Sequence, residues 1–366
     1  MFSLFKKKKS DDHKSSDYFS LKVRQIVAET PDAVTIYFEQ PEPYLDYKAG
    51  QFITLILDID GKEQRRSYSL CTSPFVDPYP GVTVKRVPNG LVSNYLIDKL
   101  RPGKTLEIMK PMGNFTTTYH SQNHFHYVMI AAGSGITPLM GITKSVLVNE
   151  PNSKVTILYC SRSEEQIIFK DALTALSAQY GERLDVIHNL TKPSAPWTGA
   201  AGRLDRERIG QMLSSPLQQS NSRFFICGPE GLMQASLDVL QQSGVPKERI
   251  LTESFYTDLA AKEQQMSAKG LLSPALTREV EVQVEGQTFK FEVSPDKTIL
   301  EAGLDHDVDM PYSCQSGLCT ACRGRLLSGQ VDMIEDAGLS DGEKAQGYIL
   351  CCSSKPASAD VKIVIE

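Results

Sequence analysis

The chain has 366 residues, 41% of them hydrophobic and 23% charged, a composition typical of globular proteins with two or three domains. No apolar run approaches the roughly 20 residues that a membrane-spanning helix needs, so membrane insertion is not expected. The net charge of −5 is uneven, because residues 279–366 hold 16 acidic against 7 basic residues. This acidic part argues against nucleic-acid binding and is compatible with docking to a basic partner.

The first 17 residues are predicted to form a disordered tail. Their charges follow a very short apolar patch, whereas a signal peptide begins with charges and continues with about 7–15 apolar residues. The sequence therefore predicts a cytoplasmic protein. The run from Lys6 to Lys9 is interpreted as solvated, with contact to an anionic surface as the alternative.

Residues 18–120 are predicted to form a small antiparallel β-barrel or sandwich. Stretches rich in β-branched and aromatic residues, such as VTIYFE and QFITLILDI, are separated by turn signals such as DIDGKE. One short helix is predicted over SNYLIDKLRPG, with its end at Pro102-Gly103.

Residues 121–256 show a different pattern, in which buried-strand runs alternate with helical spacing. The runs YVMIAAG, KVTILYCSR, LDVIHNL and RFFICG each precede an amphipathic segment. Four strand-then-helix units in succession predict a parallel sheet covered on both faces.

Residues 257–277 are interpreted as a linker with room for a short helix, and residues 278–366 as a third domain. Alternating apolar residues in REVEVQV and QTFKFEV, separated by Glu285-Gly286, predict a β-hairpin. The segment TILEAGLDHDV predicts a helix that leads into a cysteine-rich loop.

The cysteines of this third domain have the spacing of a plant-type [2Fe–2S] site. Cys314-x4-Cys319-x2-Cys322 is followed, after 29 residues, by Cys352. A zinc site would favour two CxxC pairs, and structural disulfides are unexpected in a cytoplasmic chain. Cys351 competes with Cys352 for the fourth position, and the 29-residue gap favours Cys352.

The stretch RRSYSL lies in the barrel-like region and contains Arg66-x-Tyr68-Ser69. This motif resembles the RxYS flavin motif of the ferredoxin–NADP reductase superfamily. The resemblance implies that Arg66 pairs with the FAD pyrophosphate, while Tyr68 and Ser69 contact the isoalloxazine ring and make Tyr68 a catalytic candidate. A guanidinium fork suits a phosphate and an aromatic face suits a flat ring. Without the resemblance, Tyr68 would be interpreted as a core strand residue.

A second flavin contact is implied about 20 residues further on. Gly90, Val92 and Ser93 resemble the family segment whose helix N-terminal amides meet the pyrophosphate. The same residues are compatible with a helix that opens at Asn94 with Ser93 as its N-cap.

A glycine-rich turn follows the first strand of the parallel sheet. Gly133-x-Gly135-x-Thr137-Pro138 resembles the family's GxGxxP nicotinamide-nucleotide motif, in which backbone amides meet the pyrophosphate. Because the turn lies between a predicted strand and a predicted helix, the resemblance implies the NAD(P)H site.

Cys227-Gly228-Pro229 follows the last of the four strands and resembles the family's CGP motif. The resemblance implies that Cys227 lies beside the nicotinamide C4 and orients hydride transfer; a buried cysteine at a strand end is the plain alternative. The segment from Glu253 to Phe255 resembles the family stretch that closes the domain near the flavin, with Phe255 as a cofactor contact.

The choice of nucleotide rests on Ser161 and Arg162, which follow the second strand of the parallel sheet. Both could receive a 2′-phosphate, which favours NADPH over NADH. Arg162 could instead pair with Glu164 or Glu165 at the surface.

From about residue 18 onward, the resemblance implies an FAD-binding barrel, an NAD(P)-binding α/β domain and an α+β β-grasp ferredoxin domain, in that order. It implies a reductase that takes electrons from NAD(P)H through FAD and a [2Fe–2S] cluster to a protein acceptor. An oxygenase of the phenylacetyl-CoA epoxidase type is the expected acceptor, and a hybrid-cluster protein, a desaturase or another hydroxylase are the alternatives. An iron–sulfur sensor or carrier without hydride chemistry is the rival from another class.

Overall fold

The computed structural model describes residues 18–256 and 258–365, which form three large β-sheets and a two-stranded one, with their helices. The predicted tail over residues 1–17, with Lys6 to Lys9, lies outside the described residues, as does residue 257 at the start of the predicted linker. Among the helices of the two described ranges, none has the length and apolar character needed to cross a bilayer.

The first sheet is an antiparallel barrel. Its strands are β1 (Tyr18–Thr30), β2 (Ala33–Phe38), β3 (Phe52–Ile59), β4 (Lys62–Ser69), β5 (Gly81–Lys85) and β6 (Thr105–Met112). They pair in the order β4-β3-β6-β1-β2-β5, and a backbone bridge from Leu70 to Val82 joins the end of β4 to β5 and closes the sheet. Alternate residues of these strands point inward, so that Ile53, Leu55 and Leu57 form part of its buried core.

The helix α1 (Leu91–Asp98) follows β5, and its ends differ from the prediction. It begins three residues before Asn94, and its N-cap is Gly90. The Ser93 hydroxyl lies inside the first turn and accepts a hydrogen bond from the Val87 backbone N–H at 3.1 Å. The interpretation of Ser93 as the N-cap is therefore wrong, because its side chain bonds back to the preceding loop.

The second sheet is parallel, as predicted. Its strands are β7 (His126–Ala132), β8 (Lys154–Ser161), β9 (Leu184–Leu190), β10 (Ala200–Ala201), β11 (Ser222–Cys227) and β12 (Ile250–Glu253). Its helices are α2 (Ile136–Asn149), α3 (Lys170–Tyr180), α4 (Arg206–Met212), α5 (Ser214–Leu217) and α6 (Glu230–Gln242). Short 3-10 turns lie at Gly133–Gly135, Glu164–Gln166, Gly181–Arg183 and Lys247–Arg249.

The order of these strands is β10-β9-β8-β7-β11-β12, so the chain changes direction across the sheet between β7 and β11. Open α/β sheets bind their ligands in the crevice at such a point, beyond the carboxyl ends of the strands. Two of the predicted nucleotide motifs follow β7 and β11 and therefore come to this crevice.

The third unit is an α+β arrangement, as predicted. After α7 (Leu259–Ala268), its elements are β13 (Arg278–Val284), β14 (Gln287–Val293), α8 (Ile299–Asp305), β15 (Arg323–Ser328), β16 (Val331–Met333), α9 (Asp341–Ala345), β17 (Tyr348–Leu350), β18 (Ser354–Pro356) and β19 (Val361–Ile365). A five-stranded mixed sheet has the order β14-β13-β19-β15-β17, and β16 pairs with β18.

Two local features explain how this unit starts. The β13–β14 hairpin turns through Glu285 and Gly286, both with positive φ, which is the geometry of a type I′ turn. Helix α8 begins with a capping box in which the Thr298 and Glu301 side chains satisfy each other's backbone N–H groups. The helix then leads directly into the cysteine loop.

Candidate functional site

The glycine-rich turn after β7 lies against the end of β11. Ala131 and Cys227 are paired in the parallel register, so the two motifs begin side by side. A Cβ atom on Gly135 would lie 2.0 Å from the Cys227 carbonyl oxygen, and Gly133 has a φ of +55°. Gly135 therefore requires glycine and the left-handed φ of Gly133 favours it, which leaves the backbone of the turn bare for a phosphate. Thr137 and Pro138 are buried in the first turn of α2.

A thiol, a carboxyl and a hydroxyl meet at the same crevice. Cys227 is fully buried, and its neighbour across the strands is Glu253 at the end of β12. The Ser69 hydroxyl, from the barrel, donates a hydrogen bond to Glu253 Oε2 at 3.2 Å. The family resemblance placed both residues near the flavin but did not predict this hydrogen bond, because they are 184 positions apart and only the packing of two sheets joins them.

Burial determines the protonation states of Cys227 and Glu253. Burial raises the pKa of the Cys227 thiol well above its usual value, and the Glu253 carboxyl adds to the effect. Burial also raises the pKa of Glu253 to about 8, against a smaller lowering by the Ser69 hydrogen bond. The site therefore holds a neutral thiol beside a carboxyl that can carry a proton at neutral pH.

The predicted flavin motif divides between two faces of β4. Tyr68 lies opposite Ile53 in the register and packs against the barrel core, and burial raises its pKa to about 12. Strand alternation places exposed Arg66 on the same face as Tyr68, and Ser67 and Ser69 on the other. A guanidinium beside an aromatic ring fits the pyrophosphate and ring of a flavin.

The start of α1 borders a surface cavity of about 580 Å³. Gly90 contributes to its wall, whereas Val92 and Ser93 are buried in the helix and do not. Asp58, Asp60, Asp98 and Lys99 also line it, and Asp98 is ion-paired with Arg86. Because acidic groups outnumber the one lysine in this lining, it does not favour a phosphate, and we do not assign this cavity to the pyrophosphate.

The remaining predicted cofactor contacts differ in exposure. Ser161, at the end of β8, is buried, whereas Arg162 and Phe255, the predicted contact near the flavin, are exposed. The neighbouring Tyr159 hydroxyl donates a hydrogen bond to the Gly133 carbonyl at 2.9 Å, so the end of β8 borders the glycine-rich turn.

Lys85 is a cation at this turn that sequence reasoning missed. Its Nζ atom, at the end of β5 in the barrel, lies 3.7 Å from the position of a Cβ atom on Gly133. Its ion pair with Asp32 is loose, at 3.8 Å. No local pattern marks this lysine, because it reaches the turn only through the packing of the barrel on the parallel sheet.

The four predicted cluster cysteines converge. The Cys314 thiol lies close enough to those of Cys319 and Cys352 to interact with them, and the Cys352 thiol interacts with that of Cys322. Cys351 is fully buried in the core of the third unit, and its thiol interacts with that of Cys322. Across the described ranges, no three His, Cys, Asp or Glu side chains are arranged to hold a single metal ion.

Backbone donors complete this site. The Gly317 N–H donates to the Cys352 sulfur at 3.2 Å, the Ser316 N–H to Cys314 at 3.4 Å and the Cys352 N–H to Cys322 at 3.4 Å. Four converging thiols with N–H donors around them fit a [2Fe–2S] cluster, whose sulfur atoms need such donors.

The loop that carries these cysteines packs on the barrel. Cys319 and Ala321 form a buried apolar cluster with Phe52 of β3 and Met109 of β6. These barrel residues lie on the face of the sheet that also carries Ser67 and Ser69. The cysteine loop therefore packs on the barrel face that carries part of the flavin motif.

Polar contacts hold the loop at this place. The Ser313 hydroxyl accepts a hydrogen bond from the Thr54 hydroxyl at 2.8 Å and lies 2.5 Å from the Ser67 hydroxyl. The Arg65 guanidinium lies over the Tyr312 ring, 4.4 Å from its centroid, and donates to the Tyr312 carbonyl at 3.3 Å. Ser67 lies between Arg66 and Tyr68 in the RxYS motif, so strand β4 carries the flavin motif and also contacts the cysteine loop.

Comparison with known families identifies each unit. An oxidoreductase FAD-binding domain matches residues 19–117, an oxidoreductase NAD-binding domain matches residues 129–238, and a 2Fe-2S iron-sulfur cluster binding domain matches residues 282–357.

Two relatives match along almost their full length. The chain is 32% identical to one of the subunits of 1,2-phenylacetyl-CoA epoxidase from Escherichia coli, over 94% of this chain and 97% of the relative. It is 34% identical to the ferredoxin reductase component of 3-ketosteroid-9-alpha-monooxygenase from Rhodococcus rhodochrous, over 94% and 95%. Among solved structures, phthalate dioxygenase reductase has the same fold, with a TM-score of 0.59, 23% identity and coverage of 95% and 98%.

Proposed function

The chain belongs to the family of reductase components that carry electrons from NAD(P)H through FAD and a [2Fe–2S] cluster to oxygenases, and from this premise we propose which role each of its sites plays. The observation that carries the proposal is the packing of the cysteine loop on the barrel face beside the RxYS motif. In this arrangement one chain holds the donor site, the flavin motif and the cysteine site in contact.

The barrel would hold the flavin. Arg66 is exposed and can meet a pyrophosphate, Tyr68 offers its aromatic ring, and Ser69 points toward the crevice of the parallel sheet. When bound, FAD accepts a hydride from the nicotinamide, and the [2Fe–2S] cluster carries single electrons onward. The protein positions these groups and excludes water from them.

The crevice between β7 and β11 would hold the nucleotide. The bare amides of the turn at Gly133 and Gly135 and the Lys85 ammonium suit its phosphates. Cys227, as a neutral buried thiol, would pack beside the nicotinamide without adding charge. Glu253, hydrogen-bonded by Ser69, would hold or release a proton next to it.

The choice of nicotinamide nucleotide and the identity of the cluster ligands are also part of the proposal. Ser161 and Arg162 at the end of β8 favour NADPH, with NADH as the alternative. Cys314, Cys319, Cys322 and Cys352 would bind the cluster. We place the domain limits at residues 18–120, 121–256 and 278–366, with 257–277 as linker, and the protein in the cytoplasm, where nicotinamide donors and reduced thiols coexist.

The acceptor would be an oxygenase component. Both relatives described above are named as parts of oxygenase systems, one an epoxidase of phenylacetyl-CoA and one a ketosteroid monooxygenase. The epoxidase is our first candidate, and a hydroxylase, a desaturase or a hybrid-cluster protein are the alternatives.

An anaerobic titration with NADPH and with NADH tests the donor and the route. Flavin and cluster absorbance are followed together, and low-temperature EPR is recorded at the endpoint. We expect flavin bleaching, a [2Fe–2S] EPR signal and faster reduction by NADPH. Flavin that bleaches without any cluster signal would contradict the proposed route.

Cys352→Ser and Cys351→Ser form a matched pair for the fourth ligand. Cys352→Ser should keep flavin reduction by NADPH and lose the cluster signal, because it removes the sulfur that accepts from the Gly317 N–H beside the Cys322 sulfur. Cys351→Ser should keep both. Loss of the signal in Cys351→Ser alone would reverse the assignment.

A further inference from the structure

A buried carboxylate lies against the cysteine loop. The Glu335 side chain is 6% exposed. A Cβ atom on Gly317 would lie 2.5 Å from the Glu335 Cβ, so the two backbones approach as closely as glycine allows. Gly317 is also the residue whose N–H donates to the Cys352 sulfur. The Glu335 carbonyl accepts a hydrogen bond from Ser353, the residue after Cys352.

The charge of this carboxylate is balanced from outside the ferredoxin-like sheet. Lys262, in α7, donates to Glu335 Oε2 at 2.6 Å, and the backbone N–H groups of Asp336 and Ala337 donate to Oε1. Lys262 is 48% exposed, so its side chain could move into solvent at a far lower cost in free energy than the Glu335 side chain could. A buried charge that loses its partner is strongly unfavourable, so the pair couples the position of α7 to the loop.

Helix α7 lies over the same region. A cavity of about 200 Å³ is lined by Leu259 and Glu263 of α7 on one side and by Cys352 on the other. A second ion pair, from Glu263 to Lys355, ties the next residue of the helix to the same unit. Lys262 therefore reaches a carboxylate beside the cysteine loop although it precedes residues 282–357, which match the cluster-binding family.

We propose that the Lys262–Glu335 ion pair sets the reduction potential of the cluster, so that docking of the linker helix tunes electron transfer. The inference rests on the proposed function, because it takes Cys314, Cys319, Cys322 and Cys352 as the ligands. Reduction adds one negative charge to the cluster. An uncompensated Glu335 carboxylate opposes that charge, whereas Lys262 offsets the carboxylate and makes reduction easier.

The test is a potentiometric titration of the holoprotein followed by EPR of the reduced cluster. Lys262→Gln should lower the equilibrium constant for one-electron reduction on the order of tenfold, equivalent to about 59 mV. Glu335→Gln should raise it, because Lys262 is left without its partner. The double variant should return close to the wild-type value, since both charges are gone.

Lys290→Gln is the matched control, because it removes a lysine paired with a carboxylate, Glu281, on the β13–β14 hairpin of the same unit and does not touch Glu335. Its equilibrium constant for cluster reduction should stay within twofold of the wild-type value. An equal shift in Lys290→Gln and Lys262→Gln, or a shift of the same sign in Lys262→Gln and Glu335→Gln, overturns the inference. If Glu335→Gln does not retain a cluster, the comparison of Lys262→Gln with Lys290→Gln decides alone.

The same spectra separate this inference from the proposed function. A wild-type protein without a [2Fe–2S] EPR signal would refute the cluster assignment. A normal signal whose potential is the same in wild type and in Lys262→Gln would refute only the role of the ion pair.

Discussion

Glu253 shows how a single residue acquires its chemistry from packing. It ends a parallel strand beside Cys227, and a serine from another sheet hydrogen-bonds it. Burial raises its pKa to about 8, so in the folded protein it binds a proton more tightly than in the unfolded chain. Such a group contributes full stability below its unfolded pKa, near 4.5, and loses that contribution as the pH rises toward 8.

We therefore expect Glu253→Gln to flatten the pH dependence of stability. Between pH 5 and 8 the wild type should lose stability relative to the variant, by at most about 1.4 kcal/mol per pH unit. Thermal unfolding of the FAD-loaded protein at several pH values measures this. Glu207→Gln, at an exposed carboxylate, is the control and should follow the wild type. Parallel curves for wild type and Glu253→Gln would show that the carboxyl ionises normally.

At the scale of elements, strand β4 contributes to two sites because its successive side chains point to opposite faces of the sheet. Tyr68 packs toward the barrel core, while Ser67 and Ser69 face the cysteine loop and the crevice. Arg65 extends the same contact by stacking on Tyr312 and is held by Glu63 at 2.7 Å. The register of one strand therefore sets the relative position of the flavin motif and the cysteine loop.

Arg65→Ala should slow electron transfer from flavin to cluster and leave flavin reduction by NADPH unchanged. The lost cation–π contact is worth about 1 kcal/mol, which lowers the docked-to-undocked ratio of the loop about fivefold. Stopped-flow absorbance resolves the two phases. Arg24→Ala removes an equivalent stacking contact on Tyr79, 4.1 Å from its centroid and elsewhere on the barrel, and should change neither phase. Equal slowing by both variants would point to general damage.

At the scale of the whole molecule, the sequence predicted what local pattern encodes. Strand periodicity predicted the barrel, the parallel sheet and the β13–β14 hairpin, and cysteine spacing predicted the four thiols that the structure brings together, whereas the rest of the third unit's sheet followed only from the family resemblance. It did not predict Ser69 with Glu253, Lys85 with Gly133 or Lys262 with Glu335. These pairs join different units, so no period or motif marks them, and only the packing of one unit on another creates them.

The prediction of Ser93 as the N-cap of α1 was wrong for a related reason. The pattern offered Ser93 as a cap, but the loop from Val87 to Gly90 approaches the helix closely enough for the Ser93 hydroxyl to bond backward. Side chains that can cap a helix can also bond a neighbouring loop, and tertiary contact decides between the two.

The uneven charge of the chain predicts two different responses to salt. Inside the molecule, the pair from Lys247 to Asp341 joins the acidic unit to the parallel sheet, but both side chains are largely exposed, at 81% and 69%. Such a pair is worth about 0.2–1 kcal/mol and is screened by salt. The apolar contact of Cys319 with Phe52 and the Ser313 hydrogen bonds are not screened in this way.

We therefore expect transfer from flavin to cluster to change less than about twofold between low salt and 0.5 M salt. Reduction of a basic protein acceptor, with horse cytochrome c as the probe, should instead fall steeply over the same range, because the acidic unit steers the encounter. Both rates come from stopped-flow traces of the same preparation. Lys247→Gln should leave the internal rate almost unchanged. If the internal rate falls as steeply as the external one, exposed ion pairs such as Lys247–Asp341, and not the buried loop contact with the barrel, fix the position of the cysteine loop.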